Sequence, residues 1–204
     1  MNKPQYVKVG DNKYKINTDF RTALECNKIA KDKSIKDLER AMAIIYKLFG
    51  EDGLNCKDQE KLLDLAVKYL RVGRDIDIKE SSDKEKYELD FDKCKGLIKS
   101  SFKFDYQYDP YELDYLHWYD FYNDLENLST SEFGTCCALN RIRVILDQDP
   151  KSIKDSKQRK SLVDSQKLLK QLYCTTEQPQ LTKEQEENAN NFYKALGIDL
   201  GKET

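Results

Sequence analysis

A chain of 204 residues that is 35% charged and 39% hydrophobic, with only eight Gly and four Pro, is suited to solvent-coated helices around one ordinary-sized core. Its 35 basic and 37 acidic residues leave a net charge of −2. That argues against a protein made to hold nucleic acid or an anionic membrane, and for a protein or small-molecule partner.

From the N-terminus, "QYVKV" (5–9), "GDNK" (10–13) and "YKIN" (14–17) read as a β-hairpin, because Gly10, Asp11 and Asn12 tolerate tight-turn angles. A lone hairpin is marginal in water, so it must pack on a helix or pair with another edge, which leaves a homo-oligomer open. Asn17, Thr18 and Asp19 are N-cap candidates for a helix through "DFRTALECNKIA". Ser34, with Asp37 three residues on, opens a second, amphipathic helix through Ile35, Leu38, Met42, Ile45, Leu48 and Phe49, stopped at Gly50. Asp58 caps a third through Leu62, Leu63, Ala66, Tyr69 and Leu70, and Gly73 ends it. Residues 74–89 are dense in charge without helical period and read as an exposed linker.

A second helical block follows. Residues 90–102 place Phe91, Cys94, Leu97, Ile98 and Phe102 on one face. A helix from Pro110 presents Leu113, Leu116, Trp118, Phe121, Leu125 and Leu128, and residues 129–145 continue the pattern after hydroxyl caps. Residues 151–170 carry seven basic against two acidic side chains and predict a projecting helix or a partly disordered arm. Thr182 and Gln185 form a capping box for a short C-terminal helix ending at Gly197. The expected fold is therefore mainly α, about six to eight helices with a small N-terminal β-hairpin. Its organisation is 1–73 hairpin plus helices, 74–89 charged linker, 90–149 second helical block, and 150–204 basic arm with a C-terminal helix.

No catalytic set emerges. The six cysteines, Cys26, Cys56, Cys94, Cys136, Cys137 and Cys174, contain no C-x-x-C spacing and have no nearby histidine. The first residues have no apolar signal core and no run approaches the ~20 residues of a membrane span. The cysteines thus read as reduced, buried thiols of a cytoplasmic protein with no metal and no cofactor. His117, the one histidine, has Asp114 and Asp120 at i−3 and i+3, yet nucleophile and nucleotide motifs are missing. A structural histidine is expected, and no enzyme. One of Arg141 and Arg143 is expected to pair with a carboxylate.

Tyr111, Tyr115, Trp118, Tyr119, Phe121 and Tyr122 spread nearly around one helix, enough to bury one side and offer the other. Tyr115, Trp118, Tyr119 and Tyr122 are the candidate partner-binding residues. The basic arm at 151–170 supports the alternative of a regulatory protein touching nucleic acid. Its lack of aromatics before Tyr173 argues against base stacking.

Several short words then point to a family. Asp92 leads a helix ending in Ser101-Phe102. An aromatic-rich stretch follows, then Leu116-His117-Trp118, Phe121, Leu125, Leu128 and Ile142-Arg143. With the opening "YKINTDFRTAL" (14–24), roughly residues 5–147 resemble the bacteriophage gene-product-fifteen family of tailed phages and prophages of Gram-positive bacteria. That family often has two adjacent tryptophans where this chain has Trp118-Tyr119. The resemblance marks Phe102, Leu116, His117, Phe121 and Arg143 as motif positions. It implies a virion-assembly protein encoded near the tape-measure gene, a tail assembly chaperone acting in the host cytoplasm on tape-measure or tail-tube protein. A groove for an amphipathic helix would then have the Trp118 helix as one wall.

Overall fold

The computed structural model describes residues 3–74, 87–129 and 137–175. Strands β1 (Tyr6–Val9) and β2 (Asn12–Lys15) pair antiparallel, with Val9 opposite Asn12, so the turn is Gly10-Asp11. Gly10 sits at φ 59°, the positive angle that a two-residue hairpin turn of type II′ requires at its first position. The hairpin does not stand alone. Val9, Tyr14 and Ile16 are buried, and the strands pack on the second and third helices.

Helix α1 spans Phe20–Lys31, capped by Asp19, whose carboxylate accepts from the Arg21 N–H at 2.8 Å. Helix α2 spans Asp37–Leu54. Ser34 is not its cap: Ser34 bonds to Asp32, and the helix opens after Lys36, whose N–H donates to Glu39 at 2.8 Å. Gly50 does not stop α2 but kinks it, at φ 67° and ψ −156°. Broken there, the ladder leaves the Leu48 carbonyl to accept from the Asn17 N–H at 2.7 Å, which fixes the hairpin's exit onto α2. Helix α3 spans Gln59–Leu70 with Asp58 as cap, its carboxylate accepting from the Lys61 N–H at 3.1 Å. It closes with left-handed residues at Val72 (φ 58°) and Gly73 (φ 73°), and the Gly73 N–H reaches back to the Lys68 carbonyl. Val72 tolerates an angle unusual for a β-branched residue while its side chain is buried.

Helix α4 spans Lys95–Tyr106, starting later than residue 90 because Asp90, Asp92 and Lys93 form a turn that Asp90 ties with its own carboxylate. Residues 110–117 are not helical, and α5 runs only over Trp118–Glu126. Helix α6 spans Ala138–Asp147 and begins inside the expected 129–145 segment, whose residues 130–136 lie outside the described ones. A short turn at Pro150–Ser152 leads to α7, Ser156–Tyr173. The basic arm is thus an 18-residue helix laid on α6 through Leu169 and Gln166. The expected C-terminal helix and most of the 74–89 linker lie outside the described residues. At the linker's described end, Leu89 bridges to Cys174 in an antiparallel pair.

Among the described residues, seven α-helices and one hairpin therefore make a mainly helical protein. One hydrophobic core takes residues from the hairpin and from α1 to α6, with Phe20, Leu48, Leu62, Phe102, Trp118 and Phe121 fully enclosed. A smaller cluster of Ile142, Leu146 and Cys174 seats α7. Among the described residues no helix is long and apolar enough to cross a membrane.

Candidate functional site

The motif residues converge where α1, α3 and α5 meet. Residues 18–20 and 116–118 form a short antiparallel bridge. The Phe20 N–H donates to the Leu116 carbonyl at 2.9 Å, and the Trp118 N–H to the Thr18 carbonyl at 2.8 Å. The first donor is a free N–H of α1's opening turn, so Leu116 satisfies a helix end as well as joining two segments. His117 caps α5: its Nδ1 accepts from the Tyr119 N–H at 3.1 Å. The Trp118 indole N–H donates to the Leu70 carbonyl at 3.1 Å, closing the C-terminal end of α3. Three consecutive residues thereby fasten three different helix ends.

The same logic covers the other motif positions. Phe121 stacks on Phe20 at 4.4 Å between ring centres and on Phe102 at 5.4 Å, with Trp118 at 5.9 Å. Each such pair adds roughly 0.5–1.5 kcal/mol beyond area burial. Ser101, the residue before Phe102, accepts the Leu139 N–H at the start of α6. Among the described residues, Arg143 meets no carboxylate. It donates to the Asn140 side-chain oxygen at 3.1 Å and to the Leu125 carbonyl at 3.4 Å. Arg141, on the other side of the helix, is exposed.

The irregular segment 107–117 is strapped down by groups the sequence did not single out. Arg21 reaches the Tyr111 carbonyl and donates to the Leu113 carbonyl. Asp109 is buried, yet holds Lys99 at 2.9 Å and Lys103 at 3.5 Å and accepts from the Tyr111 N–H. Burial opposes its charge, but the two ammonium groups and that N–H win and keep its carboxyl below the usual range. Asn140 is buried and donates to both the Leu128 and the Ser129 carbonyls. A polar residue inside an apolar helical stripe, as Ser101 and Asn140 are, was the available signal for such fasteners.

The expected aromatic face needs correction. Trp118 is fully enclosed and Tyr119 is buried, stacked on Tyr69 at 5.3 Å. Tyr122 is half-buried against Trp118 and beside the Arg74–Glu126 ion pair. Only Tyr115 shows most of its ring, 54% exposed, with its hydroxyl 2.7 Å from that of Thr18. The reason is the start of α5: with 110–117 in turns and irregular backbone rather than helix, Trp118 opens the helix and drops straight into the core. Nor do Asp114 and Asp120 flank His117 along one helix, since Asp114 precedes the helix and is exposed while Asp120 pairs with Lys3.

His117 and Tyr69 are the chemically odd pair, with ring centres 6.4 Å apart. The Tyr69 hydroxyl and His117 Nε2 are both enclosed, and among the described residues neither makes a well-aligned hydrogen bond, the Pro4 carbonyl being only near enough to His117 to act on its charge. Burial pushes the Tyr69 phenol up and the His117 imidazole down, so both stay neutral near pH 7. Two thiols are equally quiet, with burial pushing Cys26 up to about 12 and Cys94 up to about 11.

Among the exposed apolar surfaces, that of α7 is set among lysines. Its free face exposes Val163, Leu168 and Leu172 among lysines, and the neighbouring α6 exposes Val144.

No curated protein and no solved structure matches the chain. The family model described as "Bacteriophage Gp15 protein" matches residues 2–173, from the hairpin to the last turn of α7. With the motif residues holding the helix ends of a chain matched over nearly its whole length, this protein belongs to the bacteriophage Gp15 protein family.

Proposed function

We propose that this protein is a non-enzymatic assembly protein of phage tail morphogenesis, a chaperone that binds tape-measure or tail-tube protein in the host cytoplasm. The observation that carries the reading is how the family's motif residues are used. Leu116, His117, Trp118, Phe121 and Arg143 are all engaged in packing or fastening helices, so the family pattern preserves a scaffold. A scaffold that is mainly helical and presents an amphipathic helical face suits recognition of another helix.

The test is co-expression of the tagged full chain with the tape-measure and tail-tube proteins of the same phage, followed by purification. Co-purification of either protein at constant stoichiometry is expected. Purification of the chain alone, with both tail proteins present and folded in the cell, refutes the reading. A second reading, contact with nucleic acid, draws on the lysines of 151–167 and predicts binding that falls steeply with salt.

A further inference from the structure

We propose that the outward face of α7 is a docking surface for an amphipathic helix of a partner protein whose apolar stripe is bordered by Asp and Glu. The proposal deepens the assembly reading and rests on it for the partner being another phage protein.

The inward face of α7 is fully engaged. Leu162 is buried, Leu169 packs on the Ile142–Cys174 cluster, and Gln166 donates to the Ile145 and Gln148 carbonyls at 2.9 and 2.7 Å. Opposite lies a shallow open trough lined by Lys157, Lys160, Ser161, Asp164, Ser165 and Leu168. These positions recur at three- and four-residue steps, so they share one side of the helix. Leu172, one turn beyond Leu168, extends the apolar end; the two are 49% and 55% exposed respectively. An 18-residue helix is about 27 Å long, enough to seat five turns of a partner.

Charge says which partner. Elsewhere on the protein, lysines meet carboxylates: Lys3 with Asp120, Lys28 with Asp92, Lys47 with Glu25 and Lys99 with Asp109. Among the described residues, the ammonium groups of Lys151, Lys154, Lys157, Lys160 and Lys167 meet none. The face therefore couples apolar contact at Leu168 and Leu172 to an uncompensated positive rim at Lys157, Lys160 and Lys167. Apolar contact supplies affinity, and the rim selects the sign and register of what binds. Nucleic acid fits less well. The one aromatic of α7, Tyr173, is half-buried against the second cluster, and Asp164 stands in the middle of the trough.

The test is fluorescence anisotropy with the full chain and two synthetic helical probes. Both carry leucines at helical spacing; one has Glu and the other Lys at the flanking positions. The Glu probe is expected to bind, and the Lys probe at least about tenfold more weakly. K157E/K160E should weaken the Glu probe about tenfold and gain the Lys probe, with an unchanged melting curve because both side chains are exposed. Leu168→Ser should weaken both pairings. Equal binding of the two probes, indifference to K157E/K160E, no binding of either, or tighter binding of a poly-dT oligonucleotide each overturns the proposal. Because no tail protein enters this titration, its failure leaves the assembly reading to the co-expression result.

Discussion

His117 makes the stability of this protein depend on pH in a window where little else titrates. It is the chain's one histidine, and its Nδ1 must be unprotonated to accept the Tyr119 N–H. Burial holds its folded pKa below the ordinary value of about 6.5, and Lys3 acts in the same direction, while the Asp120 carboxylate and the Pro4 carbonyl oppose them. The sign follows from linkage. Below about pH 6.5 the unfolded chain takes up a proton that the folded chain refuses, so stability falls as pH falls, with a limiting slope near 1.4 kcal/mol per pH unit. Above about pH 7.5 the contribution is complete and flat; near the depressed folded pKa the loss levels off. Between pH 7.5 and 5.5 the expected loss is about 1 kcal/mol. Urea unfolding followed by far-UV circular dichroism across that range measures it. The control is His117→Asn, which keeps a capping oxygen and removes the titration, so its profile should be flat over the same range. Equal wild-type stability at pH 5.5 and 7.5, or a slope that survives in His117→Asn, would refute the account of His117 as a neutral buried cap.

Three further outcomes can be checked by denaturation. Trp118→Phe removes the donor to the Leu70 carbonyl and leaves a gap, and should cost about 2–4 kcal/mol; a loss under about 1 kcal/mol would mean that bond carries nothing. Gly53→Ala should lose about 1–3 kcal/mol although helix propensity alone favours Ala by about 1, because the new Cβ would lie 2.7 Å from the Phe49 Cβ and 2.9 Å from an Ile45 methyl. A gain in stability would show that those neighbours yield. Asn140→Leu strips the Leu128 and Ser129 carbonyls and Arg143 of their partner and should cost about 2–3 kcal/mol, read as a drop in melting temperature of about 4–12 °C; an unchanged melting temperature contradicts the fastener role.

Much of the fold was legible because period and caps are local. The hairpin with its turn inside residues 10–13, the caps Asp19 and Asp58, and most of the apolar stripes of α2 and α3 follow from neighbours in sequence, although Leu38 of the α2 stripe is exposed and Ile35 precedes the helix. What failed was long-range. Pro110 is an acceptable first residue of a helix, yet Arg21 and Asp109 hold the following segment in turns and irregular backbone, using partners as many as 92 residues away. With that segment taken as helix, Trp118 sits mid-helix and its neighbours wrap around a surface; with it non-helical, Trp118 is the first helical residue and goes inward. Gly50 misled for a related reason, since a positive φ ends a helix unless another element, here the hairpin's Asn17, takes up the carbonyl that is freed. The family words were visible as words, but that they fasten helix ends is visible only once the ends are placed.

The bridge between residues 18–20 and 116–118 also bears on synthesis at the ribosome. When Leu70 has been made, Phe20 has no Phe121 to stack on, the α1 N-terminus has no Leu116 carbonyl, and the α3 C-terminus has no indole. Roughly 50 more residues must be added before those partners exist, about 3–10 s at ordinary elongation rates. For that interval the first three helices present an open apolar face with its polar helix ends unanswered. The nascent chain is therefore itself a client for cellular holdases, and its yield in a host should fall when those are depleted, well before any change in the stability of the finished protein.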